Sequence, residues 1–393
     1  MQLCAIGVVL CLVFSLSLAA ASAGDGGPES AYAAWTNGPP SDPSHFPIGV
    51  WLQDPANAAA YRELGINVYI GLWEGPTEPQ LAALKEAGMS VICGQNDLAL
   101  QHLSDPTIIG WLYDDEPDNA QSLPEGGYGP ATPPQEVMAD YERMRGNDST
   151  RPVLLNLGQG VANDEWIGIG CDRSEYPAYV AACDIVSFDV YPVVGIGKPD
   201  GENYLWYVAK GVDRLRAWSA GRKIVWNVVE CTHISEPNKT ATPHQVRAEV
   251  WMSLIHGSRG LVYFVHQFEP RFVEAALLED EQMRSAVREI NRQIRALAPV
   301  LNGPTVEGVA KVASSDADVP IDVMVKRQGN DLYLFAVGMR NAPTRGTFSL
   351  DGLSDVECVE VLWEGRELPV VGGRFEDPFA PYDVHVYRLK MGS

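Results

Sequence analysis

The chain has 393 residues, with 29 Lys and Arg against 51 Asp and Glu and a formal charge of −22. So acidic a surface repels DNA, RNA and anionic membranes at long range and, a local arginine patch apart, disfavours strongly acidic polysaccharides, which leaves a neutral glycan as the simpler partner. The sequence has no H-E-x-x-H, P-loop or Gly-rich dinucleotide fingerprint and no cysteine spacing of a zinc site, so neither cofactor nor metal is expected.

Residues 1–23 contain an apolar run followed by Ala21-Ser22-Ala23, a small-x-small site at which a signal peptide would be cut before Gly24. The run is shorter than the roughly 20 residues a spanning helix needs, so a secreted or periplasmic protein without stable membrane insertion is expected. About 370 residues then remain, enough for two domains. Of seven cysteines, Cys4 and Cys11 leave with the leader. Cys171 and Cys183 flank a short polar, helix-like segment and are the candidate disulfide, two separate thiols being the other reading.

Residues 24–46, rich in Gly, Pro, Ser and Ala and without periodicity, read as a flexible lead-in. Apolar runs that look like buried strands then recur at 48–52, 67–73, 90–94, 108–113, 153–157, 185–190, 223–229 and 261–265. Between them lie helix signals, such as Thr77-Glu78-Pro79 opening a run that stops at Gly88 and Thr242-Pro243 opening one that stops near Gly257. Eight strands alternating with helices is the count of a (β/α)8 TIM barrel, here over residues 47–302. An open doubly wound sheet shares the alternation, but the first strand-to-helix turn lacks a glycine fingerprint, and polar or aromatic residues end nearly every strand. A charged helix over 279–297 closes the alternation. After Asn302-Gly303-Pro304 the short alternating runs at 321–327, 331–337, 346–350, 358–362 and 384–389 predict a small antiparallel β-sandwich over 303–393. Its Trp363, Phe375, Phe379 and Tyr382 either form a sugar platform or, the plainer use, pack in the core.

In a TIM barrel the C-terminal strand ends carry the chemistry. The fourth run, Ile108 to Pro117, ends in Asp114, Asp115, Glu116 and a proline, and the seventh ends in Val229-Glu230. Two carboxyl groups facing one cleft are the minimum equipment for hydrolysing a glycosidic bond, about 5 to 5.5 Å apart in retaining enzymes. Strand alternation puts Trp226, Val228 and Glu230 on one face, and an acid following such residues into a barrel mouth needs a reason. Asp114 and Asp118 read most simply as solvated loop acids or helix caps.

With these two motifs the chain resembles the clan A glycoside hydrolases, (β/α)8 enzymes that include cellulases, mannanases and β-galactosidases. The resemblance covers residues 47 to 300. It implies Glu116 as acid/base, within Asp115-Glu116-Pro117 where the clan usually has Asn-Glu-Pro, and Glu230 as nucleophile. The implied activity is double displacement on β-linked neutral poly- or oligosaccharides. Asp115 accepts but cannot donate a hydrogen bond to the sugar, and its charge would raise the pKa of Glu116, as suits a general acid. Tyr191, after the sixth strand, matches a position where the clan often supplies a hydroxyl contacting the nucleophile. The eighth strand ends in His266, Gln267 and Phe268 without the clan's usual tryptophan, so Phe268 or Trp73 would stack on the sugar. Gln53, Glu74 and His266 complete the expected substrate contacts. Two long segments, 118–134 and 156–176, would wall the cleft. Asp115 in place of Asn keeps open a carbohydrate-binding protein without catalysis. A metal-dependent barrel hydrolase would need His266, Asp189 or Asp115 to converge with Glu230.

Overall fold

The computed structural model describes residues 30–353 and 356–390; the expected leader at 1–23 lies outside them. Strands β1 (Ile48–Trp51), β2 (Val68–Ile70), β3 (Ser90–Cys93), β4 (Ile108–Leu112), β5 (Val153–Leu157) and β6 (Ile185–Phe188) fall within the predicted runs. Next come β7, in two pieces (Ile224–Val225 and Asn227–Glu230) around Trp226, and β8 (Leu261–Phe264). Each pairs in parallel with the next, and β8 pairs with β1, so the sheet closes on itself.

Helices α1 (Ala58–Glu63), α2 (Glu78–Ala87), α3 (Asp97–Gln101), α4 (Pro134–Asn147), α5 (Tyr176–Ala181), α6 (Tyr207–Trp218), α7 (Pro243–Ile255), α8 (Ala276–Glu279) and α9 (Glu281–Ala296) lie between and after the strands. The helix signals act as their chemistry requires. Thr77 and Gln80 form a capping box at the start of α2, Thr242 and Gln245 another at α7. Gly88 ends α2 at φ 65, a conformation that costs glycine nothing.

The two faces of the strands feed two cores. Ile70, Ile92, Ile109, Leu154, Trp226, Val228 and Val262 fill the barrel, while Val91, Val225, Val229 and Tyr263 meet the helices. The described part of the lead-in is an anchored plug, not the flexible segment its composition suggested. Tyr32 is buried, its hydroxyl donates to the Arg259 carbonyl at 2.7 Å, and it accepts from Trp226 Nε1 at 2.9 Å. The N-terminal end of the barrel is thereby stoppered.

The C-terminal part is a two-sheet sandwich of antiparallel strands, β9 (Ala310–Ser314), β10 (Ile321–Gln328), β11 (Asp331–Gly338), β12 (Thr344–Leu350), β13 (Cys358–Val361), β14 (Arg366–Pro369), β15 (Arg374–Phe379) and β16 (Val384–Lys390). Order β9-β12-β15 makes one sheet and β10-β11-β16-β13-β14 the other. Phe348 and Phe375 stack at 4.6 Å between them, and Trp251 of α7 stacks on Phe335 of the larger sheet at 5.5 Å. Phe375, Phe379 and Tyr382 are buried and Trp363 is exposed, so the tail aromatics are packing residues with one exception.

Cys171 and Cys183 are free thiols, contrary to the candidate disulfide. The segment between them winds into α5, which turns Cys183 inward against the Val180 carbonyl while Cys171 stays beside the Asp172 carbonyl. Among the described residues no helix is long and apolar enough to cross a membrane.

Tyr32→Phe removes the acceptor for Trp226 and leaves a buried N–H unpaired, so the unfolding free energy should fall by roughly 1–3 kcal/mol in urea titrations, the cost of such an orphaned group. An unchanged midpoint would mean the plug is incidental.

Candidate functional site

The mouth is built where β4, β5 and β6 end. After β4 the chain turns sharply at Glu116, which sits at φ 44, a left-handed conformation unusual for a residue with a β-carbon. Its N–H donates to the Asn156 carbonyl at 3.2 Å, tying the turn to β5. Asn156 then links strands through its side chain: Nδ2 donates to Asp115 at 3.0 Å, and Oδ1 accepts from the Ser187 hydroxyl of β6 at 2.7 Å. Asn119 donates to the Glu116 carboxyl at 3.0 Å. A β-carbon on Gly158 would stand 2.8 Å from Glu116 Oε1, so glycine leaves the carboxyl its place.

Asp189, just beyond β6, lies near Glu116 and Tyr191. Asp189 Oδ1 and the Tyr191 hydroxyl are both buried without a hydrogen-bond partner among the described residues. Burial first, then the nearby Glu116 carboxyl, hold Asp189 well above the usual carboxylate range. The Asp115 carboxyl is open to solvent but lies deep in the concave mouth. Loss of hydration there and the charge of Glu116 push its pKa upward, against the bond from Asn156.

Asp118 is buried, not the solvated loop acid that the sequence suggested. It accepts from the Gly158 N–H at 2.9 Å and from the Tyr176 hydroxyl at 2.9 Å, and burial pushes it up to about 7 against those bonds. Asp114 is exposed, as expected.

The structure brings Asp115, Glu116 and Tyr191 together, adds Asp189, and sets Glu230 apart. Glu230 shares the strand parity of Trp226 and Val228, yet its side chain is wholly buried. One oxygen accepts from the Val193 N–H at 2.7 Å and the other from the Val194 N–H at 3.1 Å. Glu249 of α7, also buried, is its neighbour, its two carboxyl oxygens without a hydrogen-bond partner among the described residues. As it stands, Glu230 offers no carboxylate to the cleft.

Gln53 likewise lies beneath the floor instead of contacting a ligand. It is fully buried, accepts from the Tyr61 hydroxyl at 2.6 Å and donates to the Glu274 carbonyl at 2.9 Å. His266 is buried beside Gln53 and the Leu52 carbonyl, and burial holds its pKa below the ordinary value. Its ring stacks on Phe268 at 6.0 Å and on Phe272 at 6.1 Å, both exposed. Trp73 and Glu74 are exposed after β2. Tyr128 and Trp166, on the two predicted wall segments, are exposed as well. Those walls meet through the Ala131 N–H and the Ile169 carbonyl at 2.6 Å.

Asp189, Asn156, Asp118, Tyr176 and Phe272 are the site residues that the sequence reading did not assign. Asp189 had a usable signal, since it ends a barrel strand as Glu116 does. Asp118 and Tyr176 had none, because their partnership joins the loop after β4 to the start of α5. Among the described residues no group of three or more His, Cys, Asp or Glu is arranged to hold a metal ion.

No protein-family model and no curated protein sequence matches the chain. Solved structures do resemble it. The α-amylase of Geobacillus thermoleovorans complexed with acarbose is similar with a TM-score of 0.54 and 9% identity over 89% of this chain and 99% of that one. The noncanonic maltogenic α-amylase AmyB of Thermotoga neapolitana gives 0.52 and 9% over 89% and 100%. AmyP in complex with maltose gives 0.51 and 9% over 89% and 98%. The likeness is one of fold: this chain is a (β/α)8 barrel with a C-terminal β-sandwich, an architecture shared with enzymes named as amylases.

The buried Glu230–Glu249 pair carries a pH signature. Burial raises Glu230 from 4.5 to about 7, and burial with the neighbouring Glu230 holds Glu249 well above the usual carboxylate range. The native state thus binds more protons than the unfolded chain in this window, so the pair's stabilisation is full below about 4.5 and is lost as pH rises through 7. Glu249→Gln, which cannot ionise, should flatten the fall of Tm across that window, leaving the part due to Asp118 and Asp189. An equal fall in both proteins would exclude the pair as its source.

Proposed function

We propose that the chain is an exported glycosidase whose barrel mouth hydrolyses a neutral, β-linked poly- or oligosaccharide, with Glu116 and Asp189 as the working carboxyl pair. The observation that carries the reading is their placement: two acids from different strand ends lie near one another in the mouth, and the Asp189 carboxyl is held well above the usual carboxylate range. Exposed aromatic rings at Trp73, Phe268 and Phe272 support it, since their flat apolar faces suit sugar rings. Two of the similar structures hold acarbose and maltose, which supports a carbohydrate ligand in a barrel of this kind. Export rests on the leader pattern at residues 1–23.

We assign retention of configuration. Retention is what the clan A resemblance implies, the second carboxylate attacking the anomeric carbon directly. When the sugar enters, the pair's proton sits on Glu116, which gives it to the leaving oxygen while the Asp189 carboxylate attacks the anomeric carbon. Glu116 then takes a proton from the water that breaks the glycosyl ester. Tyr191 and Asp115 orient the pair and the sugar hydroxyls. Glu230, the nucleophile implied by the strand-seven motif, becomes in this reading a positioning residue. It grips the Val193 and Val194 N–H groups of the segment that carries Asp189 and Tyr191.

The test is hydrolysis of a panel of neutral β-glycans, with first-formed anomers followed by NMR, by the mature protein and its Glu116→Gln, Asp189→Asn and Glu230→Gln variants. Release of β-anomer first is expected, with losses of roughly 10²–10⁴-fold or more for the first two variants. Full activity in Asp189→Asn beside an inert, folded Glu230→Gln would transfer the nucleophile's role to Glu230. Glycan binding without turnover in every protein would favour the binding-protein alternative, which Asp115 in place of Asn sustains.

Gly158→Ala offers a separate check. Its β-carbon would displace the Glu116 carboxyl, so kcat should drop at least tenfold while the circular dichroism spectrum stays that of the parent. Unaltered kcat would mean Glu116 works from elsewhere.

A further inference from the structure

At the opposite end of the barrel from Glu116, where α6, the turn before β8 and the larger sheet of the sandwich meet, lies a cleft of about 970 Å³. In a chain of charge −22, this cleft gathers Arg216, Arg259 and Lys326. Arg216 comes from α6, Arg259 from the turn before β8 and Lys326 from β10, so two cations belong to the barrel and one to the sandwich.

Their recorded partners are main-chain carbonyls. Arg216 donates to His256 at 2.7 Å, Arg259 to Leu301 at 3.0 Å and Lys326 to Gly303 at 2.9 Å. Two acids of the lining are engaged elsewhere, Asp213 and Asp322 pairing with His256 at 2.9 and 3.1 Å, while Glu307, also on the lining, is exposed. Lys326 is only 3% exposed. Its burial, then the charges of Arg259 and Arg216, hold its amine down at about 7, with Glu307 opposing weakly. Arg259 is lowered in turn by burial and by Arg216. Three cations press on one another at the cleft, and Lys326, the buried one, bonds only a carbonyl; a buried charge without a counter-charge is costly.

The backbone adds to the arrangement. Gly257 sits at φ 107, and a β-carbon there would come within 3.0 Å of the Arg216 guanidinium carbon. The guanidinium therefore lies against bare backbone and keeps a fixed position facing the cleft.

We propose that this cleft binds a tetrahedral oxyanion, sulfate or phosphate, free or as an ester on a glycan, held by Arg216, Arg259 and Lys326. The dianion neutralises cations arriving from separate directions, as the several oxygens of a tetrahedral group allow and the planar fork of one carboxylate does not. Bound there, it bridges barrel and sandwich. The inference is independent of the chemistry in the mouth.

Thermal unfolding of the mature chain in sodium sulfate, sodium phosphate or sodium chloride at matched ionic strength tests it. In sulfate and phosphate Tm should climb with anion concentration, as for any ligand of the native state, while chloride has no comparable effect. Lys326→Met should be at least as stable as the parent in chloride, because a repelled charge has gone, and should lose the response to the two dianions. If Lys326→Met does not fold, Arg216→Gln, at an exposed position, should lose most of the response. Calorimetric competition distinguishes the sources: a sulfated oligosaccharide that displaces phosphate, where its unsulfated counterpart does not, identifies the ester form, and failure to displace it identifies the free ion. Equal Tm rises in parent and variants would mark a general salt effect and overturn the site, as would no rise in either dianion.

Discussion

The site depends on one relay of hydrogen bonds across three strand ends. Glu116 donates its N–H to the Asn156 carbonyl, the Asn156 side chain reaches Asp115, and Ser187 of β6 reaches Asn156. Each link joins neighbouring strands of the closed sheet, so the positions of Asp115, Glu116 and Asp189 follow from the barrel's register. A left-handed turn at Glu116 and a glycine at 158 are the local concessions that let the carboxyl stand where the relay aims it. The acids at the mouth thus stand just beyond paired strands, while Trp73, Phe268 and Phe272 stand on the loops after β2 and β8.

Much of the fold was legible because parallel barrel strands, covered on both faces, appear as short continuous apolar runs. The capping boxes at Thr77 and Thr242 were legible for the same local reason. The sandwich was less so: β9, β14 and β15 escaped notice, since Lys311, Glu367 and the Arg374-Phe375-Glu376-Asp377-Pro378 alternation carry charge or proline on the outer face. At the site, Glu116 and Asp115 could be found from strand-end position alone. Glu230 shows where that logic stops. Its parity is what alternation predicts, but the direction of its carboxyl is set by Val193, Val194 and Glu249, which are remote in sequence. The same applies to Asp118, whose donors, the Gly158 N–H beyond β5 and the Tyr176 hydroxyl at the start of α5, are remote in sequence, and to Cys183, which α5 turns inward.

Buried acids are the costly part of this molecule. Asp118, Asp189, Glu230 and Glu249 are all held above the range of free carboxyls, each chiefly by lost hydration. Such groups destabilise the native state once ionised. Extensive apolar cores in both barrel and sandwich offset that cost, and two of the acids, Asp118 and Glu230, hold backbone N–H groups at Gly158, Val193 and Val194 in place.

The docking of α7 has a consequence for how the chain can be divided. One face of this helix presents Trp251 to Phe335, and Arg247 donates to the Val384 carbonyl at 3.0 Å; the same helix carries Glu249 inward to Glu230. The sandwich thus forms the outer seat of a helix whose inner side braces the segment bearing Asp189 and Tyr191. A chain shortened to the barrel would bare Trp251 to water and loosen that brace, so the C-terminal module is a structural wall of the barrel and not a detachable appendage.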